Sequence, residues 1–179
     1  MRSVNFFKRF LKREDGASAV EFALVSFPFT AFLIAMIESG VLYFAQLTLD
    51  NAVIDVARLV RTGQVQENGV DAIAFRAQIC DRISALMNCD ARLQVDVRTF
   101  ANFNGVAVPD PVDADGNWNA PFNFDPGAAG DIVLVRVFYK WSSMTGMMTP
   151  SLENLPDGTH ILTAGAAFRN EPFGQIIAE

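Results

Sequence analysis

From Phe22 to Ile37 the chain carries no charge, and after the single Glu38 the uncharged run resumes from Ser39 to Leu49. At about 1.5 Å per residue, a helix from Ala17 to Leu49 reaches roughly 50 Å, well beyond a hydrocarbon core of ~30 Å. Beyond Asp50, the apolar residues Ala52, Val53, Val56, Leu59 and Val60 keep three- and four-residue spacing, with Asp55, Arg58 and Arg61 interleaved. That pattern predicts a helix that crosses a membrane and continues as an amphipathic rod, laying its apolar face on the rest of the chain. Arg61 and Gly63 suit its C-terminus, where cations and then glycine are favoured. Pro28 lacks an amide hydrogen and is expected to kink or loosen one turn. Glu38, about 31 Å along from Ala17, reads as a surface carboxylate at the outer interface.

Further along, Ile73, Ala74, Ala77, Ile79, Ile83 and Leu86 predict a second helix within Val70–Met87. Residues 92–100 alternate, with Leu93, Val95, Val97 and Thr99 on one side and Arg92, Gln94, Asp96 and Arg98 on the other. That is a half-buried strand. Ile132–Trp141 is rich in β-branched and aromatic residues, and Thr159–Arg169 holds a third, less regular run. Helices followed by three strands give an α+β fold with a small antiparallel sheet. Ala101–Gly130 is a long Asn/Asp/Gly/Pro-rich connection carrying Phe103, Trp118, Phe122 and Phe124, a length expected of a loop that packs or binds something. Ser142–Gly158 is a second irregular stretch, with a helical turn expected at Pro150–Asn154; its Met144, Met147 and Met148 read as gap-filling core.

Charge gives the long helix a direction. The chain has 179 residues and a formal net charge of −6. Residues 1–16 carry Arg2, Lys8, Arg9, Lys12 and Arg13 against Glu14 and Asp15, so they contribute about +3 and the remainder about −9. The acidic body argues against nucleic acid as a partner, because that affinity comes from Lys and Arg on phosphates. The positive-inside bias puts Met1–Asp15 in the cytoplasm and exports the body. A cleaved secretory signal would have a shorter apolar run ending in small residues, whereas this one ends Ile37-Glu38-Ser39-Gly40.

Within the apolar run, Glu21 would cost about 2.5–3.5 kcal/mol if ionised at bilayer depth, so something must neutralise it. It stands in Gly16-Ala17-Ser18-Ala19-Val20-Glu21-Phe22, after the basic leader. This resembles the processing site of type IV-like pilins, more narrowly of TadE/TadF-like minor pseudopilins of tight-adherence (Flp) pilus systems. Ala57-Arg58-Leu59-Val60-Arg61-Thr62-Gly63 and the C-terminal Ala167-Phe168-Arg169-Asn170-Glu171-Pro172-Phe173 also resemble stretches of that family. The resemblance implies that a prepilin peptidase cuts between Gly16 and Ala17, removing residues 1–16. Residues 17–63 would then form the transmembrane and protruding helix, and 64–179 the exported head. It implies Glu21, followed by Phe22, as counter-charge to the new amine of Ala17 or of a neighbouring subunit. The implied partners are other pilin and minor pseudopilin subunits, the inner-membrane assembly platform and membrane lipid. The implied role is assembly, initiation or tip structure of a pilus supporting attachment. A snorkelling Glu21 in a plain anchor, whose aromatic loop binds a ligand in the periplasm, is the alternative.

Cys80 and Cys89, in an oxidising compartment, read naturally as a disulfide worth about 2–3 kcal/mol, as TadE-like chains also lead one to expect. Zinc lacks the usual four ligands, because His160 is the only histidine; free thiols are the remaining reading. No nucleophile elbow, His-Glu-x-x-His or phosphate-binding loop occurs, so neither a catalytic residue nor a cofactor is expected. Asp113, Asp115 and Gly116 resemble the middle of a calcium loop, but Pro111 and Phe122 stand where its first and last ligands belong.

Overall fold

The computed structural model describes residues 16–102, 108–119, 121–143 and 155–174. The basic leader, Phe103, Met144, Met147, Met148 and the expected turn at Pro150–Asn154 lie outside the described residues. Helix α1 spans Ala17–Arg61, α2 is the short Gln64–Glu67, and α3 spans Ala72–Ile83. The strands are β1 (Leu93–Phe100), β2 (Ile132–Ser142) and β3 (Thr159–Arg169), in spatial order 1-2-3 and antiparallel throughout. The α+β expectation holds.

α1 runs unbroken through Pro28 for 45 residues, about 67 Å. Its C-terminal half buries Ala45, Leu49, Ala52, Val53, Val56, Ala57 and Val60. These spacings of three and four place one stripe against the sheet. The facing sheet surface presents Leu93 and Val97 of β1, Val133, Val135, Val137 and Tyr139 of β2, and Leu162 and Ala164 of β3, which join that stripe in one core. The register explains the match: Leu93 pairs with Tyr139, which pairs with Leu162, so each layer of the core crosses all three strands. α3 adds Phe75, Ile79 and Ile83, and its first turn is capped by the Asp71 carboxylate accepting from the Ala74 amide at 2.8 Å. The cap explains why this helix starts at Ala72, inside the wider Val70–Met87 pattern.

The polar side of β1 is not solvated. The long loop folds over it: residues 123–125 run beside β1 in a parallel bridge, with the Val97 amide donating to the Asn123 carbonyl at 2.8 Å. Phe122 lies 6.1 Å from Phe138 on the sheet's far side, Phe124 lies 5.3 Å from Phe75, and Trp118 donates to the Ala91 carbonyl. The loop therefore covers an edge strand that would otherwise expose unpaired backbone groups.

At the far end of α1 the Ala57–Gly63 and Ala167–Phe173 stretches meet. The Glu171 amide donates to the Arg61 carbonyl at 2.9 Å, the two side chains form an ion pair at 3.2 Å, and Phe173 packs on Gly63. Gly63 has φ of 81°, and a Cβ there would lie 2.2 Å from the Phe173 ring. Buried Asn170 ties the same corner to the Pro126 and Ala128 carbonyls, both at 2.9 Å. The backbone requirement outweighs the half-exposed ion pair. Gly63→Ala should cost about 2–3 kcal/mol and Arg61→Ala under about 1 kcal/mol. Thermal unfolding of the full chain in detergent will compare them, and equal losses would contradict the ranking.

Candidate assembly site on the N-terminal helix

The family-like residues sit where α1 has no protein around it. The helix begins at Ala17 with Gly16 as its N-cap, and no side chain bonds to the first turn. Glu21 lies one turn further along and is exposed, beside a Phe22 that is 74% exposed. Large apolar side chains follow on all sides: Leu24, Val25, Phe27, Phe29, Phe32, Met36 and Ile37 are each more than half exposed. This is the one described helix long and apolar enough to cross a membrane. Its bare part, Ser18 to Ile37, measures about 30 Å, the thickness of a hydrocarbon core.

Glu38 ends the bare part, and here the surface reading is corrected. It is 3% exposed, and Ser143, just past β2, donates its hydroxyl to the Glu38 carboxylate at 2.5 Å. The reason is tertiary: the strand end reaches back to the helix, so a carboxylate that tops an apolar run becomes the first anchor of the head. Nearby, His160 pairs with Trp141 in the sheet and lines a small apolar cleft with Leu42, Tyr43 and Leu162.

Cys80 and Cys89 form a disulfide with Cα atoms 5.8 Å apart, joining α3 to the turn before β1. Sequence reading missed the clamp beside it: Arg76 donates to the Leu93 carbonyl at 3.1 Å, to that of Cys89 at 2.5 Å, and to that of Asp90. The disulfide belongs to the head, and the fold does not bring it to Glu21. The calcium-like stretch is an Asx turn. The Asp113 carboxylate accepts from the Asp115 and Asn117 amides, while the Lys140 ammonium donates to the Gly116 carbonyl and sits 4.8 Å from the Trp118 ring. Among the described residues no three His, Cys, Asp or Glu side chains cluster as a metal site would require.

A second polar centre was equally invisible in the sequence. Asp96 is 1% exposed and takes Arg136 at 2.5 Å, Arg98 at 2.9 Å and the Asn123 amide at 2.9 Å. β1 and β2 place Asp96 opposite Arg136, and the covering loop dehydrates the pair. The alternation of β1 marks Asp96 only as a residue of the polar side, so nothing in the pattern signals its burial.

Residues 16–58 match the model of a family described as TadE-like protein. Over that segment the chain is similar to the TadE-like family. The match begins at the N-cap glycine and ends within α1, so it covers the bare helix and much of the packed part. It is consistent with a TadE-like protein of Tad pilus systems. No curated protein and no solved structure matches the chain.

Above the TadE-like segment, Asp96 gives the head its acid limit. Burial alone pushes its carboxyl up, but the Asn123 amide, Arg136 and Arg98 together hold it below the ordinary carboxylate value. A lowered folded value means that this stabilisation is complete above the unfolded carboxylate range, about pH 4, and is lost as pH falls further. Asp96→Asn should cost about 3 kcal/mol at neutral pH by leaving two guanidinium groups without their acid. It should also flatten the loss of stability below about pH 4. Denaturant unfolding of the full chain from pH 7 to pH 2.5 tests both, and an acid limb unchanged in the variant would contradict the assignment.

Proposed function

We propose that the protein is a minor pseudopilin of a tight-adherence pilus, acting in its assembly, initiation or tip structure rather than in catalysis. The observation that carries the reading is the coincidence at the start of α1. The helix begins at the residue that prepilin peptidase cleavage after Gly16 would make the new N-terminus. An exposed acid stands four residues on, a bare apolar length matches a bilayer, and the TadE-like match starts at the same glycine. In the membrane, residues 17–37 span the inner bilayer with the head in the periplasm, and the chain later joins other pilin subunits through the assembly platform. The Glu21 carboxylate is the counter-charge for an Ala17 ammonium, its own or a neighbour's, because four residues along a helix is one turn. An anchored receptor reading through the aromatic loop is weakened by its rings, which pack on the sheet and on Phe75.

Cleavage is the first test. In cells with the cognate peptidase, intact-mass spectrometry should show a chain starting at Ala17, and Gly16→Arg should block processing because a large cation does not fit a small subsite. A mature chain still starting at Met1 would end the pseudopilin reading.

Glu21→Gln separates processing from assembly. It should be cut and retained in the membrane, yet fail to support piliation, since an ammonium without its acid in a packed helix bundle costs about 3–5 kcal/mol per subunit. Normal piliation by this variant, scored by microscopy and surface shearing, would refute the counter-charge.

A further inference from the structure

The two edges of the sheet are finished differently. On β1 the outward backbone groups are occupied: the Val97 amide donates to the Asn123 carbonyl, the Asp125 amide to the Val97 carbonyl, and Arg76 to the Leu93 carbonyl. On β3 they are not. Just past that strand the Asn170 amide donates to the Asp131 carbonyl at 2.8 Å, and the Gly130 amide donates to the Asn170 carbonyl at 3.2 Å. Even-numbered residues of β3 therefore turn their backbone groups to β2, and odd-numbered ones turn them outward. Of the outward groups, the Thr163 carbonyl accepts from the Gln46 side chain of α1 at 3.0 Å. The amides and carbonyls of Gly165 and Ala167 take no partner among the described residues. Nothing blunts this stretch: β3 pairs with β2 without a bulge, and residues 159–168 include no Pro, Lys, Arg, Asp or Glu. Thr163, Gly165 and Ala167 turn small, exposed side chains to the outer face. An edge of this kind is a template for a further strand.

At its foot the edge meets a cleft of about 280 Å³ between α1 and β3, lined by Ser39, Leu42, Tyr43, Gln46, His160 and Leu162. No Lys, Arg, Asp or Glu is among them, and Leu42, Tyr43 and Leu162 give it apolar walls. Open backbone groups beside a pocket for one side chain are what a sheet offers to an extended peptide: the main chain supplies affinity and the pocket supplies choice. A second copy of this chain is the wrong occupant. β3 runs alongside α1, from the cleft at Tyr43 to Glu171, which bonds to Arg61. A second β3 paired antiparallel, as every strand of this sheet is, would carry its own α1 upside down, whereas chains held in one bilayer stand the same way up. We propose that residues 163–167 take up, as a fourth strand, an extended, uncharged segment of a different protein, with one large apolar side chain seated in the cleft. The proposal goes beyond the pseudopilin reading and rests on it only in excluding a second copy.

The test places photo-reactive benzoylphenylalanine at Ala167 on the edge, or at Ser39 in the cleft, of the full chain in cells with its own pilus system. Ile73 on α3, 79% exposed, is the control position. Both probes should cross-link about tenfold more than the control. Sequencing should place both cross-links in one uncharged segment of another protein, about five residues apart, as Leu162 and Ala167 are along β3. Ala167→Pro removes one outward amide at an edge position that tolerates proline, and should lower the Ser39 cross-link about tenfold; Ala167→Val keeps the amide and should leave it unchanged. Hydrogen exchange requires no variant: the Gly165 and Ala167 amides should exchange about tenfold more slowly in membranes carrying the whole pilus system than in the chain purified in detergent. Cross-links to a second copy, to lipid, to two unrelated segments or at the control's level overturn the proposal, as does indifference to Ala167→Pro or equal exchange in the two samples. A chain cut after Gly16 that gives no such cross-links overturns the fourth strand alone. Paired cross-links from a chain left uncut overturn the pseudopilin reading and leave the edge site standing.

Discussion

One long helix has a bare apolar half and a packed half, and the contact that divides them is the packing of its upper stripe on the sheet. Ala45, Leu49, Ala52, Val53, Val56, Ala57 and Val60 share a core with all three strands, and each buried Leu or Val among them adds about 1.5–3 kcal/mol. Without that contact the sheet would have a bare apolar face and the helix would have no head. With it, the lower half is held clear of the domain as a free apolar rod. The small side chains Ala45, Ala52 and Ala57 let the helix approach closely.

The head is then braced at both ends of that contact. At the membrane end Ser143 holds Glu38 where the apolar run stops. At the far end the C-terminal stretch folds back, with backbone and ion-pair contacts between Glu171 and Arg61 and with Phe173 on Gly63. The disulfide, the Arg76 clamp and the Asp96 centre fix α3, β1 and the long loop among themselves.

Two faces of α1 accordingly have different tasks. One is satisfied within the chain. The other is exposed as far as Arg58 and shows large apolar side chains, which soluble surfaces keep to small patches. Asp50 and Asp55 stand beside that exposed face, and Asp55 pairs with Arg82 of α3 at 3.7 Å.

Periodicity by itself determined the long helix, the three strands and the α+β class, because these depend on local spacing. The Gly16–Phe22 segment was legible for the same reason, being contiguous in sequence. Only the tertiary structure decided that Glu38 is buried, that Asp96 faces two arginines beneath a loop, and that Phe122 and Phe124 of that loop pack on Phe138 and Phe75. It also decided that Arg61–Gly63 meets Glu171–Phe173. Each of these brings together residues far apart in the chain, and a residue's own neighbours in sequence carry no record of which distant segment will exclude water from it.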